Sequence, residues 1–289
     1  MVGMVWSTRP DPMRKQTTNT LMAGRRNRLV SKPPMARGWS MSGNTVNTIE
    51  STDLSDLSSD RAGDPFAVVS ARLAAAAGPG AYWLAGYGKY KIRLDPIYRA
   101  VLPLIPPGVK VLDLGCGVGL LGLLLTARGL ENDIHGIEWD AHKAHFARQL
   151  AESTPSIRVE CGDLLKEPWP ECSVITLLDV LHYLPPAQQR ALLFRAASHL
   201  PEGGRLLVRV MDGRAGGVAI LTRLCEQAAV KIGWNRAENV HWRPLSAVRA
   251  DLLEADFVLP PATASAGQAI GNQLLVGEKR GVLTGSGLS

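Results

Sequence analysis

Residues 109–122 constrain the fold of this 289-residue chain more than any other stretch. The stretch begins with VKVLDL, a short and nearly continuous apolar run of the kind found in a parallel strand that is covered on both faces. Glycines at positions 115, 117 and 119 follow, where the backbone must turn sharply and approach a ligand. An apolar helical pattern resumes at Leu120, so the N-terminus of a helix points at whatever lies on the loop.

The glycines fit two kinds of nucleotide-binding loop. Gly117, Gly119 and Gly122 have the GxGxxG spacing of a dinucleotide fingerprint, which is a weak match on its own. Asp113 favours the other kind, because a carboxylate at the end of the strand can face a cationic amino group but would repel a pyrophosphate. On the residues DLGCGVG, from Asp113 to Gly119, the segment resembles motif I of the class I S-adenosylmethionine-dependent methyltransferases.

Two further acidic residues recur at the spacing of a strand–loop–helix–strand unit. Glu138 follows the second predicted strand 25 positions after Asp113, and Asp163 follows the third predicted strand 25 positions after Glu138. A carboxylate at the tip of the second strand can accept hydrogen bonds from both hydroxyls of a ribose. Nicotinamide enzymes and methyltransferases share this role, so Glu138 predicts a nucleoside ligand without choosing between them.

Later segments extend the resemblance over about residues 90–279. SVITLLDV predicts a fourth strand that ends in Asp179; LHYLPP follows it, and the turn LPEGG leads into a fifth strand. Nicotinamide dehydrogenases do not ordinarily carry these segments in this order. The resemblance implies an α/β fold, with a Rossmann-like seven-stranded, mostly parallel sheet, helices on both faces and an antiparallel last strand. GYGKYKIRLDPIY, LLDVLHYLP and LLVRVMD are similar to small-molecule methyltransferases of bacterial polyketide-like or aryl-polyene pathways.

The resemblance also implies the cofactor and the residues that hold it. S-adenosyl-L-methionine is expected with its methionine end near Asp113 and Gly115, its ribose on Glu138 and its adenine near Asp163. Trp139 is expected either to pack on the adenine or to have a structural role at the surface. The expected cofactor-binding residues are Asp113, Gly115, Cys116, Gly117, Gly119, Glu138, Trp139, Gly162, Asp163, Leu164 and Asp179.

The chemistry requires alignment more than covalent catalysis, because a sulfonium leaving group already activates the methyl. A general base helps only where the acceptor holds a proton that must leave. His182, three residues after Asp179, is the candidate base, since the ordinary histidine pKa of about 6.5 suits proton removal near neutrality. The alternative is that His182 only shapes the pocket; His241 is the second candidate. Arg209 and Asp212 are expected to pair with each other or to contact substrate, because buried charges require partners.

The sequence divides into four segments. Residues 1–60 are predicted to be a disordered basic tail, 61–107 a helical cover segment, 108–280 the methyltransferase domain and 281–289 a flexible C-terminus. An organelle transit peptide, or a true start at Met35 or Met41, are open alternatives for the tail. Helices are predicted over Asp64–Gly78, Tyr90–Leu102 and 215–232. The rings of AYWLAGYGKYKIR are expected either to cover the sheet or to line the mouth of the active site.

Composition limits the kinds of partner. The net charge of +6 lies in residues 1–40, which hold eight basic residues against one acidic residue, whereas the rest of the chain holds 24 basic and 25 acidic residues. A neutral core argues against a nucleic-acid partner. The four cysteines form no CxxC pair, which predicts reduced core thiols and no metal. No stretch approaches about 18 uninterrupted apolar residues, so no transmembrane segment is predicted, and a cytoplasmic location is expected.

Three function classes compete with a small-molecule methyltransferase. An NAD(P)-dependent oxidoreductase would bind NAD in preference to S-adenosylmethionine. A nucleic-acid methyltransferase would need a basic recognition face, and the sequence also lacks an NPPY- or PC-type motif after strand four. A non-catalytic scaffold is the third, although Asp113, Glu138 and Asp163 are all intact. An aromatic or lipid-like acceptor is expected from the apolar, aromatic-bearing cover segment, whereas the acceptor atom (O, N or C) and the oligomeric state stay open.

Overall fold

The computed structural model describes residues 63–211, 240–260 and 272–281. Its α-helices are α1 (Pro65–Ala75), α2 (Tyr82–Leu94), α3 (Ile97–Val101), α4 (Leu120–Ala127), α5 (Ala141–Ala151), α6 (Pro186–His199) and α7 (Leu245–Glu254). Short 3₁₀ turns cover Leu102–Leu104 and Leu181–Tyr183. Its strands are β1 (Lys110–Leu114), β2 (Asp133–Glu138), β3 (Ile157–Cys161), β4 (Val174–Leu177), β5 (Arg205–Met211), β6 (Phe257–Val258) and β7 (Asn272–Lys279).

The strands form one sheet in the order β3-β2-β1-β4-β5-β7-β6. The pairs among β1 to β5 are parallel, and β7 runs antiparallel to both β5 and β6. The chain turns back between β1 and β4, which is the topological switch point where ligands bind in open α/β sheets. This order confirms the predicted Rossmann-like sheet with an antiparallel last strand.

Both faces of the sheet are covered, as the apolar run in β1 predicts. Val111 packs into a core formed with helices α1 to α5, whereas Leu112 and Leu114 pack into a second core formed with α6 and α7. Each of these three side chains is almost wholly buried. Alternate residues of one strand therefore supply the two cores, because successive side chains of a strand point to opposite faces.

The cover segment differs from its prediction. A single helix was expected over Tyr90–Leu102, but α2 begins at Tyr82 and ends at Leu94, and α3 begins at Ile97. The break lies at Asp95-Pro96, where the residue before a proline is driven out of the helical region. The Asp95 side chain then accepts a hydrogen bond from the Ile97 backbone N–H at 3.1 Å and so begins the next helix.

The aromatic rings of α2 do not form a common cover over the sheet. Tyr82 is 78% exposed and Tyr90 is 61% exposed, because both lie on the outer face of α2. Leu84, Ala85 and Ile92 are buried on the opposite face instead. Of the two alternatives, covering the sheet is therefore wrong for these two tyrosines, and lining the mouth of the active site stays a prediction.

Several sequence predictions lie outside the described residues. They concern the tail (1–60), the helix over 215–232, Asp212 and the end of the C-terminus. Within the described ranges, no helix is both long enough and apolar enough to cross a bilayer. These ranges likewise contain no cluster of three or more candidate metal ligands. The prediction of buried thiols holds for Cys172, but Cys161 is exposed.

Candidate active site

The glycine loop bends back over the end of β2. The backbone N–H groups of Gly115 and Cys116 both donate to the carbonyl oxygen of Ile137, at 2.8 and 3.2 Å. Gly115 has φ +75°, and a Cβ atom at this position would lie 2.4 Å from Cγ2 of Val180. Only glycine fits both the left-handed backbone and this close approach. The loop is therefore packed tightly against the turn that follows β4.

Glu138 joins the tip of β2 to the glycine loop. Its Oε2 accepts a hydrogen bond from the Gly117 N–H at 2.8 Å, and its Oε1 accepts one from the Asp140 N–H at 3.0 Å. Burial raises the pKa of Glu138, and these backbone hydrogen bonds oppose that shift. A Cβ built on Gly117, which has φ +58°, meets no atom of the described structure within 4 Å. A ligand can therefore approach the Gly117 backbone beside a carboxylate.

Asp113 is a buried carboxylate beneath the loop. It is 4% exposed, and its Oδ1 accepts a 2.6 Å hydrogen bond from Oγ1 of Thr176, the residue opposite it on β4. Burial raises the pKa of Asp113 from 3.8 to about 6, the Thr176 hydrogen bond opposes this shift, and the nearby charge of Glu138 adds to it. In the described part of the chain, no cationic side chain pairs with this carboxylate.

Asp163 lies at the next position along the same edge of the sheet. The Gly162 N–H donates to the carbonyl oxygen of Glu138 at 3.0 Å, which places the start of this loop beside the tip of β2. Asp163 accepts a hydrogen bond from the Leu165 N–H at 2.9 Å, and it forms an ion pair with Lys166 at 3.0 Å. The pKa of Asp163 is lowered, and the hydrogen bond from Leu165 is the main cause. The carboxylate is half-exposed and so remains accessible to a ligand.

An arginine that the sequence analysis missed holds the Asp163 loop in place. Arg195 of α6 donates to the carbonyl oxygens of Leu164, Leu165 and Glu167, at 3.1, 2.8 and 2.6 Å. Its guanidinium also lies 4.0 Å from the ring centroid of Trp169. A single arginine on a helix surface carries no local sequence signal for such a role, because its partners are backbone carbonyls about 30 residues away.

Asp179 bonds to two cations rather than to the glycine loop. It has φ +62°, an unusual backbone conformation for a residue with a side chain. Its Oδ2 accepts from Lys91 Nζ at 2.7 Å and from Arg209 Nη1 at 3.0 Å. Burial alone would raise the pKa of Asp179, but the charges of Lys91 and Arg209 outweigh it and hold the pKa well below its usual range. Its expected contact with a cofactor stays a prediction.

Arg209 has partners that the sequence analysis did not foresee. Its Nη1 donates to Asp95 at 2.6 Å as well as to Asp179. The expected choice was between a pair with Asp212, which lies outside the described residues, and contact with substrate. The actual partners are 114 and 30 positions away in sequence, so no local pattern could have indicated them.

His182 is buried in the 3₁₀ turn that follows Asp179. Its ring stacks on Trp242, with centroids 5.1 Å apart and planes at 9°, and its backbone carbonyl accepts from the His241 N–H at 2.7 Å. The structure therefore brings the two candidate histidines together at one narrow pocket near the ends of β4 and β5. Arg209 and Met211 also line this pocket.

Trp139 and Leu164 complete the predicted set. Trp139 follows Glu138 at the tip of β2 and is partly exposed, so its ring is available at the surface beside the loop. Leu164 is half-buried and contributes its carbonyl oxygen to Arg195 and to Trp169 Nε1. All of the predicted cofactor residues except Asp179 thus lie along the carboxyl ends of β1, β2 and β3.

Comparisons with known proteins find a methyltransferase domain and a shared fold. A family model described as a methyltransferase domain matches residues 111–204. A carboxy-S-adenosyl-L-methionine synthase of Helicobacter pylori (strain P12) is 30% identical over 131 residues, which are 45% of this chain and 50% of the relative. The chain thus spans about half the length of the curated relatives that it matches.

Solved structures share the fold at low sequence identity. An O-methyltransferase family 2 protein from Planctomyces limnophilus, solved in complex with apigenin, is 24% identical with a TM-score of 0.52; the match covers 72% of this chain and 64% of that chain. Human N-acetylserotonin methyltransferase, solved in complex with SAM, is 19% identical with a TM-score of 0.51, over 77% of this chain and 61% of that chain. These likenesses establish the fold alone.

Proposed function

We propose that this chain, whose residues 111–204 match a methyltransferase domain model, binds S-adenosyl-L-methionine and methylates a small molecule. Binding is assigned to the edge of the sheet where β1, β2 and β3 end. Gly117 and Glu138 provide a backbone approach and a ribose-binding carboxylate, and Asp163 lies at the third strand for the adenine end.

One observation favours S-adenosylmethionine, a sulfonium nucleoside, over a nicotinamide dinucleotide. Asp113 is a buried carboxylate with a raised pKa and no cationic partner in the described residues. A buried charge without a partner is costly, and a cationic ligand would relieve that cost. The pyrophosphate of a nicotinamide dinucleotide would increase it. Asp113 therefore favours S-adenosylmethionine, which carries an ammonium and a sulfonium, over NAD(P).

We further propose that His182 accepts a proton from the acceptor. When bound, S-adenosylmethionine would supply a methyl on a positively charged sulfur, with S-adenosylhomocysteine as the leaving group. His182 lies in the turn after β4 and lines a narrow pocket together with Trp242 and Met211, to which the charged Arg209 also contributes. The acceptor's proton passes to the His182 ring, and the stack on Trp242 keeps that ring oriented.

A second reaction is favoured by the relatives. Several curated proteins similar to this chain are named carboxy-S-adenosyl-L-methionine synthases, a name that denotes modification of the cofactor itself. The same cofactor site would serve that reaction. The two functions differ in the cofactor product, which is S-adenosylhomocysteine after methyl transfer and a carboxylated S-adenosylmethionine otherwise.

The proposal is tested by the fate of the methyl group. The full chain is incubated with S-adenosylmethionine that carries a deuterated methyl and with a panel of small hydroxylated aromatic and lipid-like acceptors, and the products are separated by mass spectrometry. Parallel reactions contain a panel of small carboxylic acids as possible carboxyl donors, which the second reaction requires. We expect S-adenosylhomocysteine and an acceptor that has gained the label. A carboxylated cofactor with no labelled acceptor would favour the second reaction. Folded protein that binds NAD but not S-adenosylmethionine would overturn both.

A further inference from the structure

Four charged side chains form a closed ring beside the pocket that His182 lines. We name Lys91, Asp95, Asp179 and Arg209 the charge ring. Lys91 Nζ contacts Asp95 at 2.9 Å and Asp179 at 2.7 Å, and Arg209 Nη1 contacts the same two residues at 2.6 and 3.0 Å. Each carboxylate uses its Oδ2 atom for both cations, so positive and negative charges alternate around the ring.

The ring joins two separate parts of the fold. Lys91 lies in the last turn of α2, and Asp95 ends that helix and caps α3. Asp179 lies two residues after β4, and Arg209 lies in β5, directly after the residue that pairs with the end of β4. The ring therefore ties the break in the cover segment to the edge of the sheet next to the switch point.

Stability alone is a poor explanation for this arrangement. Arg209 is only 5% exposed, and the desolvation of buried ion pairs commonly offsets most of their attraction. Asp179 adds a cost, since a left-handed backbone is strained for a residue with a side chain. Strained and buried polar groups of this kind cluster at functional sites, where geometry matters more than stability.

Asp179 is connected directly to both halves of the proposed active site. The next residue, Val180, is the side chain against which Gly115 of the glycine loop packs. The Val180 carbonyl then accepts from the Tyr183 N–H at 3.0 Å and so closes the turn that carries His182. A change in the backbone of Asp179 would move Val180 against the loop and His182 relative to the pocket.

We propose that Lys91 is a positioning residue for methyl transfer: by pairing with Asp179 it keeps that residue in its left-handed conformation and fixes the turn Val180–Tyr183 between the glycine loop and the pocket. The assignment rests on the proposed function, because it concerns the same site. Lys91 acts through Asp179, and a displacement of about 1 Å at a reacting group can lower a rate about a hundredfold.

Two variants in the cover segment distinguish the positioning role of Lys91 from a structural tie, in which the ring only holds the cover segment to the sheet. Lys91→Met leaves Asp179 with Arg209 as its described partner, so the turn should loosen. Asp95→Asn removes the other carboxylate charge but retains the oxygen that caps α3, and both cations remain for Asp179. A structural tie predicts similar losses from both variants. Positioning by Lys91 predicts a loss from Lys91→Met that is much larger than the loss from Asp95→Asn.

Three quantities are measured on the full chain: amide hydrogen exchange of residues 178–184, the Kd for S-adenosylhomocysteine by calorimetry, and the rate of labelled methyl transfer. For Lys91→Met we expect faster exchange in this segment and a transfer rate lower by about tenfold to a hundredfold, with the Kd within about threefold of wild type. Lys91→Arg should restore most of the rate. Lys110→Met, which removes a long and exposed ion pair with Glu171, is the control.

The outcomes distinguish this inference from the proposed function. Wild-type exchange and rate in Lys91→Met would overturn the positioning role. Equal losses in Lys91→Met and Asp95→Asn would also overturn it, since the ring would then be a structural tie. If Lys91→Met does not fold, Lys91→Arg with wild-type Asp95 must still show a rate and an exchange pattern closer to wild type than Lys91→Gln. The exchange measurement needs no catalysis, so it stands even if the wild-type protein fails to bind S-adenosylhomocysteine.

Discussion

The Asp113 carboxylate accepts a 2.6 Å hydrogen bond from Thr176 across the β1–β4 pair, at the point where the order of the sheet reverses. Thr176 supplies a neutral donor where a buried carboxylate would ordinarily need a cation. Burial raises the pKa of Asp113 to about 6, and the Thr176 hydrogen bond opposes this shift less than a cationic partner would. Asp113 therefore predicts a change in cofactor binding and in stability near this pH.

The affinity for S-adenosylmethionine should depend on pH through Asp113. The carboxylate must be ionised to attract a cation, so binding should weaken as the pH falls below about 6. Asp113→Asn should bind less tightly at pH 7.5 and should show a smaller pH dependence, because Glu138, whose pKa burial also raises, remains. Calorimetry at pH 5.5, 6.5 and 7.5 measures both effects, and a wild-type affinity that does not change over this range would contradict the role of Asp113.

The same substitution should stabilise the ligand-free protein. The pKa of Asp113 is 3.8 in the unfolded state and about 6 in the folded state, so between these pH values the folded state holds the proton more tightly. The contribution of Asp113 to the free energy of unfolding therefore falls as the pH rises through this range. Asp113→Asn removes that loss, which amounts to at most about 3 kcal/mol. Urea unfolding at pH 8 should therefore give a higher free energy of unfolding for Asp113→Asn, and a lower value would count against an unpartnered charge.

Alanine substitutions at two loop glycines should have different effects. Gly115→Ala places a Cβ 2.4 Å from Val180, so we expect a loss of stability of several kcal/mol. Gly117→Ala meets no described neighbour and should cost only the backbone strain of about 1 kcal/mol. Gly117→Ala should nevertheless lose cofactor affinity, because its methyl occupies the approach to the loop.

Thermal unfolding and S-adenosylhomocysteine titration compare the two glycine variants. The double variant Gly115→Ala/Val180→Ala should recover part of the stability that Gly115→Ala loses, since it removes the side chain in contact. Equal melting temperatures for the two single variants would show that the close approach to Val180 has little effect.

Arg195 should control the affinity of the adenine end without contacting it. Arg195→Leu removes three hydrogen bonds to the carbonyl oxygens of the Asp163 loop, so the loop should become more mobile and the Kd for S-adenosylhomocysteine should rise about tenfold. Arg158→Ala is the matched control, because its ion pair with Asp133 is exposed. The prediction is wrong if both arginine variants bind with the affinity of the wild type.

His182 should affect transfer more than cofactor binding. His182→Phe retains a ring that can stack on Trp242 but cannot accept a proton, so the transfer rate to a proton-bearing acceptor should fall about a hundredfold while the Kd for S-adenosylhomocysteine stays near wild type. His182→Ala should show the same loss together with lower stability, and the exposed His145→Ala serves as the control. An unaltered rate in His182→Phe would remove this residue from the mechanism.

The parallel sheet and the edge that carries the proposed cofactor residues could be predicted because their signals are local. An apolar run, closely spaced glycines and acidic residues 25 positions apart depend on short segments, and parallel connections bring their ends to one edge. Glu138 and Gly117 are 21 positions apart, yet the β1–β2 register places them in contact. The geometry of this half of the site therefore follows from strand order alone.

The charge ring and the stacked histidine could not be predicted because their contacts are distant in sequence. Lys91 and Asp179 are separated by 88 positions, and Arg209 and Asp95 by 114. The side chains of Lys91 and Asp95 alone resemble an ordinary exposed pair one helical turn apart. The error in the cover segment was avoidable, however, because Asp95-Pro96 is a local signal for the end of a helix.

The central claim is that the edge of the sheet where β1, β2 and β3 end binds S-adenosylmethionine. Calorimetry on the full chain, with wild type compared with a Glu138 variant, tests this claim most directly. Calorimetry should give one S-adenosylmethionine per chain for the wild type, and Glu138→Ala should weaken it by about 1.5–3 kcal/mol, because a charged hydrogen-bond acceptor is lost. Glu131→Ala, an exposed glutamate just before β2, should bind as the wild type does. Folded wild-type protein that binds neither S-adenosylmethionine nor S-adenosylhomocysteine would contradict the account.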